Sequence, residues 1–239
     1  MFIIKSILEI LYKIMSNIFV QGASRGLGFA FVKSFLRNPK NVVFASARTA
    51  NVQNGSGESL IDLKTEFPNL ELITMDVINE NDIMNAADIV KNSTGKLELL
   101  LNCSAMLHPT GKGETKLADV KPDFLYDTFS VNTFGPLLMA KHFGKLLQKG
   151  NGTIGSQAFK DDKNLNHCGV IANLSARIGS IDDNKLGGWY AYRMSKTALN
   201  MANKYMFLFF CFFFYSFFRH EKCVLLSLYN KWNINFCRL

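Results

Sequence analysis

Tyr192 and Lys196 stand four residues apart in the stretch YAYRMSK, 190–196. On a helix, positions i and i+4 share one face, so the phenol and the ammonium would project together. A phenol with its ordinary pKa near 10 is a poor acid–base group at neutral pH, and a neighbouring ammonium favours the phenolate. Such a pair is acid–base chemistry in waiting, or an incidental surface pair, depending on what surrounds it. A second cluster, VQGASRGLG at 20–28, packs three glycines, a serine and an arginine into nine residues. The spacing Gly22-x-x-x-Gly26-x-Gly28 differs from the commoner GxGxxG. A buried strand reads before it and a one-sided apolar helix after it. Backbone N–H groups and the positive end of a helix dipole would meet a pyrophosphate there, where no side chain blocks the approach. A plain turn would use the same residues.

The elements that must position these clusters alternate along the chain. Apolar runs predict strands at 17–21, 41–46, 70–75, 97–103 and 169–174. Helices are predicted at 26–36, 58–66, 79–91, 123–148 and 189–204. Runs such as LELLLN and GVIANL are apolar on both faces, as strands of a covered parallel sheet must be. Repeated β–α units with right-handed crossovers predict an α/β, doubly wound parallel sheet of Rossmann type. Its first βα turn then carries the glycines.

At 239 residues, 48% hydrophobic and 19% charged, the chain can bury a full core. The net charge of +8 suits a phosphorylated cofactor or an ordinary basic surface. No basic run interleaves with aromatics, so nucleic acid is not an expected partner. Five cysteines without CxxC spacing and four scattered histidines predict neither a metal site nor a disulfide framework, and a reducing, cytoplasmic setting. Residues 1–14, MFIIKSILEILYKI, form an extra apolar segment striped by Lys5, Glu9 and Lys13. The segment is too short and too charged to span a bilayer and is poor as a signal peptide. Residues 205–218, YMFLFFCFFFYSFF, hold eight of the 21 phenylalanines. This division gives an extra segment at 1–14, a nucleotide-binding domain at 15–204 and an aberrant tail at 205–239, such as translated non-coding sequence would give.

In order along the chain, GASRGLG (22–28), Asp76-Val77, LLNCSA (100–105), VNTFGP (131–136), ANLSARIGS (172–180) and YRMSK (192–196) resemble the short-chain dehydrogenase/reductase family. The stretch from Ala172 through YRMSKTALN is more particular and resembles the C-factor-like branch with its sniffer-type carbonyl reductases. By that resemblance Tyr192 gives a proton to a substrate carbonyl while hydride arrives from the nicotinamide. Lys196 holds the nicotinamide ribose and, with the oxidised ring's positive charge, lowers the phenol's pKa by about three units, roughly 4 kcal/mol. Asn132 anchors a water chain to Lys196. Ser175 is the expected partner of the substrate oxygen, with Ser180 in reserve, because the second serine the family often carries is Ala176 here. The resemblance puts the cofactor on Gly22, Ser24, Arg25, Gly26, Leu27 and Gly28, then on Arg48, Asp76, Val77, Asn102 and Ser104, with Tyr192 and Lys196. Asp76 would approach the adenine amino group. Gln21 stands where the family often has Thr, and Ala105 where it usually has Gly. Cys103 reads as a small buried residue rather than a nucleophile.

The cofactor can also be argued physically. NAD-users place an acid at the end of the second strand for the ribose diol. That end reads Phe44-Ala45-Ser46-Ala47-Arg48-Thr49, without one. The forked guanidinium of Arg48, and that of Arg25, suit a 2′-phosphate, which favours NADP(H) over NAD(H). The family's later elements are not recognisable after Lys204, so the sheet is expected to lack its last strands and leave the fifth strand as an exposed edge. CVLLSLYN, 223–230, would at most imitate a strand. The substrate lid and the family's usual homo-oligomer are in doubt for the same reason. Three readings follow. The first is an NADP-dependent reductase of a small aldehyde or ketone. The second is a non-catalytic remnant binding cofactor weakly or not at all. The third is a reductase whose tail, 205–218, touches a membrane.

Overall fold

The computed structural model describes residues 16–53, 57–150, 167–217 and 222–228. The extra segment expected at 1–14 lies outside them. Strand β1 (Asn17–Gln21) leads into α1 (Gly26–Leu36), then β2 (Val42–Ala47), α2 (Leu60–Glu66), β3 (Leu70–Thr74) and α3 (Glu80–Ser93). Strand β4 (Leu99–Asn102) is followed by a long loop and α4 (Pro122–Phe129). A π-helical turn (Ser130–Phe134) joins α4 to α5 (Gly135–Gln148). After β5 (His167–Leu174) come α6 (Tyr190–Phe217) and β6 (Lys222–Leu228). All pairings are parallel, in the order β3-β2-β1-β4-β5-β6.

Alternation within β1 explains the two-sided core. Ile18 and Val20 face one layer with Phe29, Val32, Phe35 and Leu63 of α1 and α2. Phe19 faces the other with Phe44, Ile83, Met139 and Phe143. The Phe19 and Phe143 rings meet edge-on, 4.7 Å between centres at 61°, the geometry an aromatic quadrupole prefers. Helix α2 starts on a capping box: Ser59 Oγ accepts from Asp62 N, and Ser59 N donates to Asp62 Oδ2.

One expectation is refined and one is corrected. The helix predicted at 123–148 is helical throughout but is not uniformly α: a π-turn within it places Asn132 and Thr133 inward. The sheet does not end at β5: Val170 to Leu174 pair in register with Val224 to Leu228. The sequence 222–228 is apolar enough to extend the ladder once α6 returns the chain to that edge. Among the described residues no helix is long and apolar enough to cross a membrane.

Candidate active site

The strand order reverses direction between β1 and β4, where Gln21 and Asn102 are paired at the carboxyl ends. A crevice at such a switch point is where open α/β sheets hold ligands. The glycine turn lies directly above it. Gly22 N and Ala23 N both donate to Ser46 O, at 3.1 and 2.9 Å, folding the turn against the end of β2. Gly22 has φ 78°, and a Cβ there would stand 2.6 Å from Ser104 N. A Cβ at Gly28 would run into the carbonyl of Gly22. Both absences let the loop after β4 and the start of α1 close on the glycine turn. Helix α1 has no acid in its first turn and no side-chain cap, so its orphan N–H donors are left for an anion. Ser24 in this turn is half-buried, while Arg25 and Leu27 are exposed.

Gln21 locks the two loops together. Its Nε2 donates to Ser104 Oγ at 2.5 Å, and its Oε1 accepts from Ser104 N at 3.1 Å. Asn102 is buried, with Nδ2 donating to Asn173 Oδ1 at 2.6 Å, and Asn173 passing the pattern on to Asn203. Its Oδ1 is buried with no hydrogen-bond partner among the described residues. Arg48 is exposed two residues beyond Ser46, on the same rim as Arg25, and neither guanidinium has an ion pair among the described residues. The Asp76 carboxylate turns back onto Ile78 N at 3.2 Å. Val77 is buried against Gly135, where a Cβ would lie 2.6 Å from Val77 Cγ2. Tight glycine approaches and uncapped amides fit the diphosphate of a dinucleotide.

Helix α6 delivers the phenol–ammonium pair to the neighbouring strand ends. Lys196 is 1% exposed, and its Nζ donates to Leu174 O at the end of β5 at 2.8 Å. Nζ sits 5.8 Å from the Tyr192 ring centre. Burial pulls the Lys196 pKa down to about 8, opposed by the Cys103 side chain nearby. Burial likewise pushes the Cys103 thiol up to about 12, which leaves it inert as a nucleophile at neutral pH. The Tyr192 phenol is pushed above its ordinary value, also by burial. Burial of the phenol works against the lowering expected from Lys196 and the oxidised ring together. The half-buried phenolate is poorly solvated, while the ammonium is itself desolvated and engaged with a carbonyl.

Asn132 ties three segments together from the π-turn, a helix irregularity common at functional sites. Its Oδ1 accepts from Met106 N at 2.8 Å, and its Nδ2 donates to Met106 O and to Ser195 Oγ, at 2.8 and 3.0 Å. Thr133 Oγ1 donates to Ser195 O at 2.9 Å. Asn132 therefore reaches the residue beside Lys196.

The serines are not brought to the pair in the same way. Ser175 is buried and donates to Asn200 Oδ1 at 2.7 Å. Ser180 is half-buried on a groove with Ile181, Met194 and Met201, and its Oγ accepts from Asp183 N at 3.4 Å. The sequence alone does not single out Gln21, Thr133 or Ser195 as site residues. For Gln21 the available signal is a polar side chain at a strand end beside the glycine turn.

The family model described as short chain dehydrogenase matches residues 16–207. A short chain dehydrogenase of Aspergillus terreus is 30% identical over 192 residues, covering 77% of this chain and 35% of its own length. An uncharacterized oxidoreductase of Schizosaccharomyces pombe is 26% identical over 186 residues, 78% of this chain and 64% of that protein. The chain thus spans between about a third and two thirds of these relatives. Among solved structures, the carbonyl reductase Sniffer of Drosophila melanogaster superposes with TM-score 0.70 at 27% identity, over 89% of this chain and 79% of that one. An NADPH-bound carbonyl reductase from chicken fatty liver gives TM-score 0.70 at 27% identity, over 88% and 78%.

Proposed function

Because this chain belongs to the short-chain dehydrogenase family, we propose that it is an NADP(H)-dependent reductase of a small aldehyde or ketone, of the C-factor-like branch. The observation that carries the reading is the pair on α6: a protonated phenol 5.8 Å from a buried ammonium, set over the strand ends beside the glycine turn. Two solved structures similar to this chain are carbonyl reductases, which supports the substrate class. The chicken enzyme is NADPH-bound, in keeping with the absence of an acid after β2 and the presence of Arg48 and Arg25 on that rim.

In this reading Gly22, Ser24, Gly26, Leu27 and Gly28 receive the diphosphate on backbone N–H groups, and Arg25 and Arg48 grip the 2′-phosphate. Asp76 and Val77 flank the adenine, and Asn102 and Ser104 border the ribose. When bound, the nicotinamide supplies the hydride. Lys196, whose Nζ donates to Leu174 O, would hold a ribose hydroxyl and keep its charge beside Tyr192. The phenol, held protonated by burial, would give its proton to the oxygen of the substrate carbonyl, which leaves as an alcohol. Asn132 keeps the loop after β4 and the Ser195 turn in register. Ser175, or Ser180, steadies the substrate oxygen after a rotamer change. We place the reaction in a reducing, cytoplasmic compartment, with the unit at 15–204 as the cofactor-binding domain and the residues beyond it as an addition to it.

NADPH binding followed by fluorescence, then turnover of an aldehyde panel, tests the reading. Saturable binding with turnover supports it, and the lack of both leaves a non-catalytic remnant. Arg48→Asp is expected to shift the NADPH-to-NADH preference at least tenfold towards NADH. An unchanged ratio would refute the cofactor assignment.

A further inference from the structure

Whatever fixes the first turn of α6 fixes Tyr192. That turn has no acidic residue of its own, so its amide donors need acceptors from elsewhere. One acceptor comes from 77 residues away: Ala191 N donates to Glu114 Oε1 at 3.2 Å. The carbonyl of the same Glu114 accepts from Trp189 N at 2.6 Å. Glu114 lies in the loop after β4, with its side chain 1% exposed. A carboxylate is thereby placed at the positive end of the dipole of the helix that carries the pair.

His108 stands behind it. Thr110 N donates to His108 Nδ1 at 3.3 Å and Thr110 Oγ1 lies 2.9 Å from the same nitrogen, on the side of the ring opposite Nε2. Nε2 faces Glu114 Oε1 at 3.9 Å, and the ring is fixed edge-on to Phe124 at 4.6 Å. His108 Nε2 and Glu114 Oε2 are both buried with no hydrogen-bond partner among the described residues. Burying a carboxylate with one oxygen unmet is costly. The junction also holds backbone strain, since Trp189 has φ 51°, a left-handed value that a bulky residue rarely adopts. Its indole lies over Gly113, where a Cβ would come within 2.5 Å of the ring. Costly features concentrated where a loop meets the pair-bearing helix point to function rather than fold.

We propose that Glu114 is a positioning residue: it tethers the first turn of α6 through side chain and carbonyl, orients Tyr192 for proton donation, and is buttressed by His108. The orientation for catalysis rests on the reductase reading, whereas the tether does not. The test uses the full chain as wild type, Glu114→Ala, Glu114→Gln and Glu114→Asp. Residue-resolved hydrogen exchange is expected to show the Ala191 amide at least tenfold faster in Glu114→Ala, with Leu199 unchanged. Glu114→Gln, which keeps an acceptor, stays within threefold of wild type. Glu114→Asp, which withdraws the oxygen by one methylene, follows the alanine variant and replaces it should that one fail to fold. With NADPH and an aldehyde, kcat falls at least tenfold in Glu114→Ala, KM for NADPH stays within twofold, and Glu114→Gln recovers most of kcat. Unchanged exchange at Ala191, loss of protection along the whole of α6, or a wild-type kcat in Glu114→Ala overturns the proposal. Exchange as expected in a chain whose wild type turns over nothing refutes the reductase reading and leaves the tether in place.

Discussion

Lys196 shows how burial sets the chemistry of a single side chain. Desolvation holds its pKa at about 8 against 10.5 for a free lysine. Between those values the unfolded chain binds a proton that the native state lacks, so this group's contribution to stability rises with pH and is lost as pH falls through 8. The window from pH 8 to 9 is informative, because Cys103, raised from 9.0 to about 12, works in the opposite direction above it. Wild type should gain about 1 kcal/mol on Lys196→Met between pH 8 and 9. Urea midpoints at the two pH values measure this, and a pH-independent difference would count against a buried ammonium. The identities and the spacing of Tyr192 and Lys196 are legible in the sequence. The direction of the phenol's shift is not, because it follows from exposure, which a spacing does not contain. The same holds for Ser175: its position after β5 is plain, but its bond to Asn200 depends on how α6 lies across the strand end.

Among the elements, the glycine turn is the most legible, because strand, turn and helix each leave a pattern in adjacent residues. Its reason becomes clear only with the loop after β4 in place. Gly22 is fixed by a positive φ and by Ser104, a residue distant in sequence that closes over it. Gly22→Ala should therefore lower stability by about 1–3 kcal/mol through strain and displacement of Ser104, and weaken NADPH binding at least tenfold. Fluorescence titration and a denaturant curve check both, and wild-type values in both would contradict the contact. The π-turn at Ser130–Phe134 reads as ordinary helix in the sequence, since apolar periodicity does not register one added residue per turn. Gln21 is a departure from a pattern in the sequence and a two-point clamp in the structure.

At the scale of the molecule, the layered core follows from strands that are apolar on both faces. Phe19, Phe44 and Phe143 join β1, β2 and α5 on one side of the sheet. Phe143→Ala should cost about 3–5 kcal/mol, read as a fall in the urea midpoint with unchanged slope. A loss below about 1 kcal/mol would mean that this layer is not close-packed. The far edge is less legible. The family match ends at residue 207, yet Val224 to Leu228 pair in register with Val170 to Leu174, after a shift next to His167. A short apolar run gives no sign in the sequence of which edge it will join. The phenylalanine-rich stretch obscures it further, having no period from which to assign a face.

The most direct test of the account compares wild type with Tyr192→Phe in NADPH-dependent reduction of an aldehyde, with NADPH affinity measured on both proteins. The phenol is assigned proton donation and only a peripheral part in cofactor binding. The expected result is a loss of kcat of about 10²–10⁴-fold, with the NADPH dissociation constant within threefold of wild type. Turnover by Tyr192→Phe at the wild-type rate would contradict the assignment of the proton donor, and with it the site.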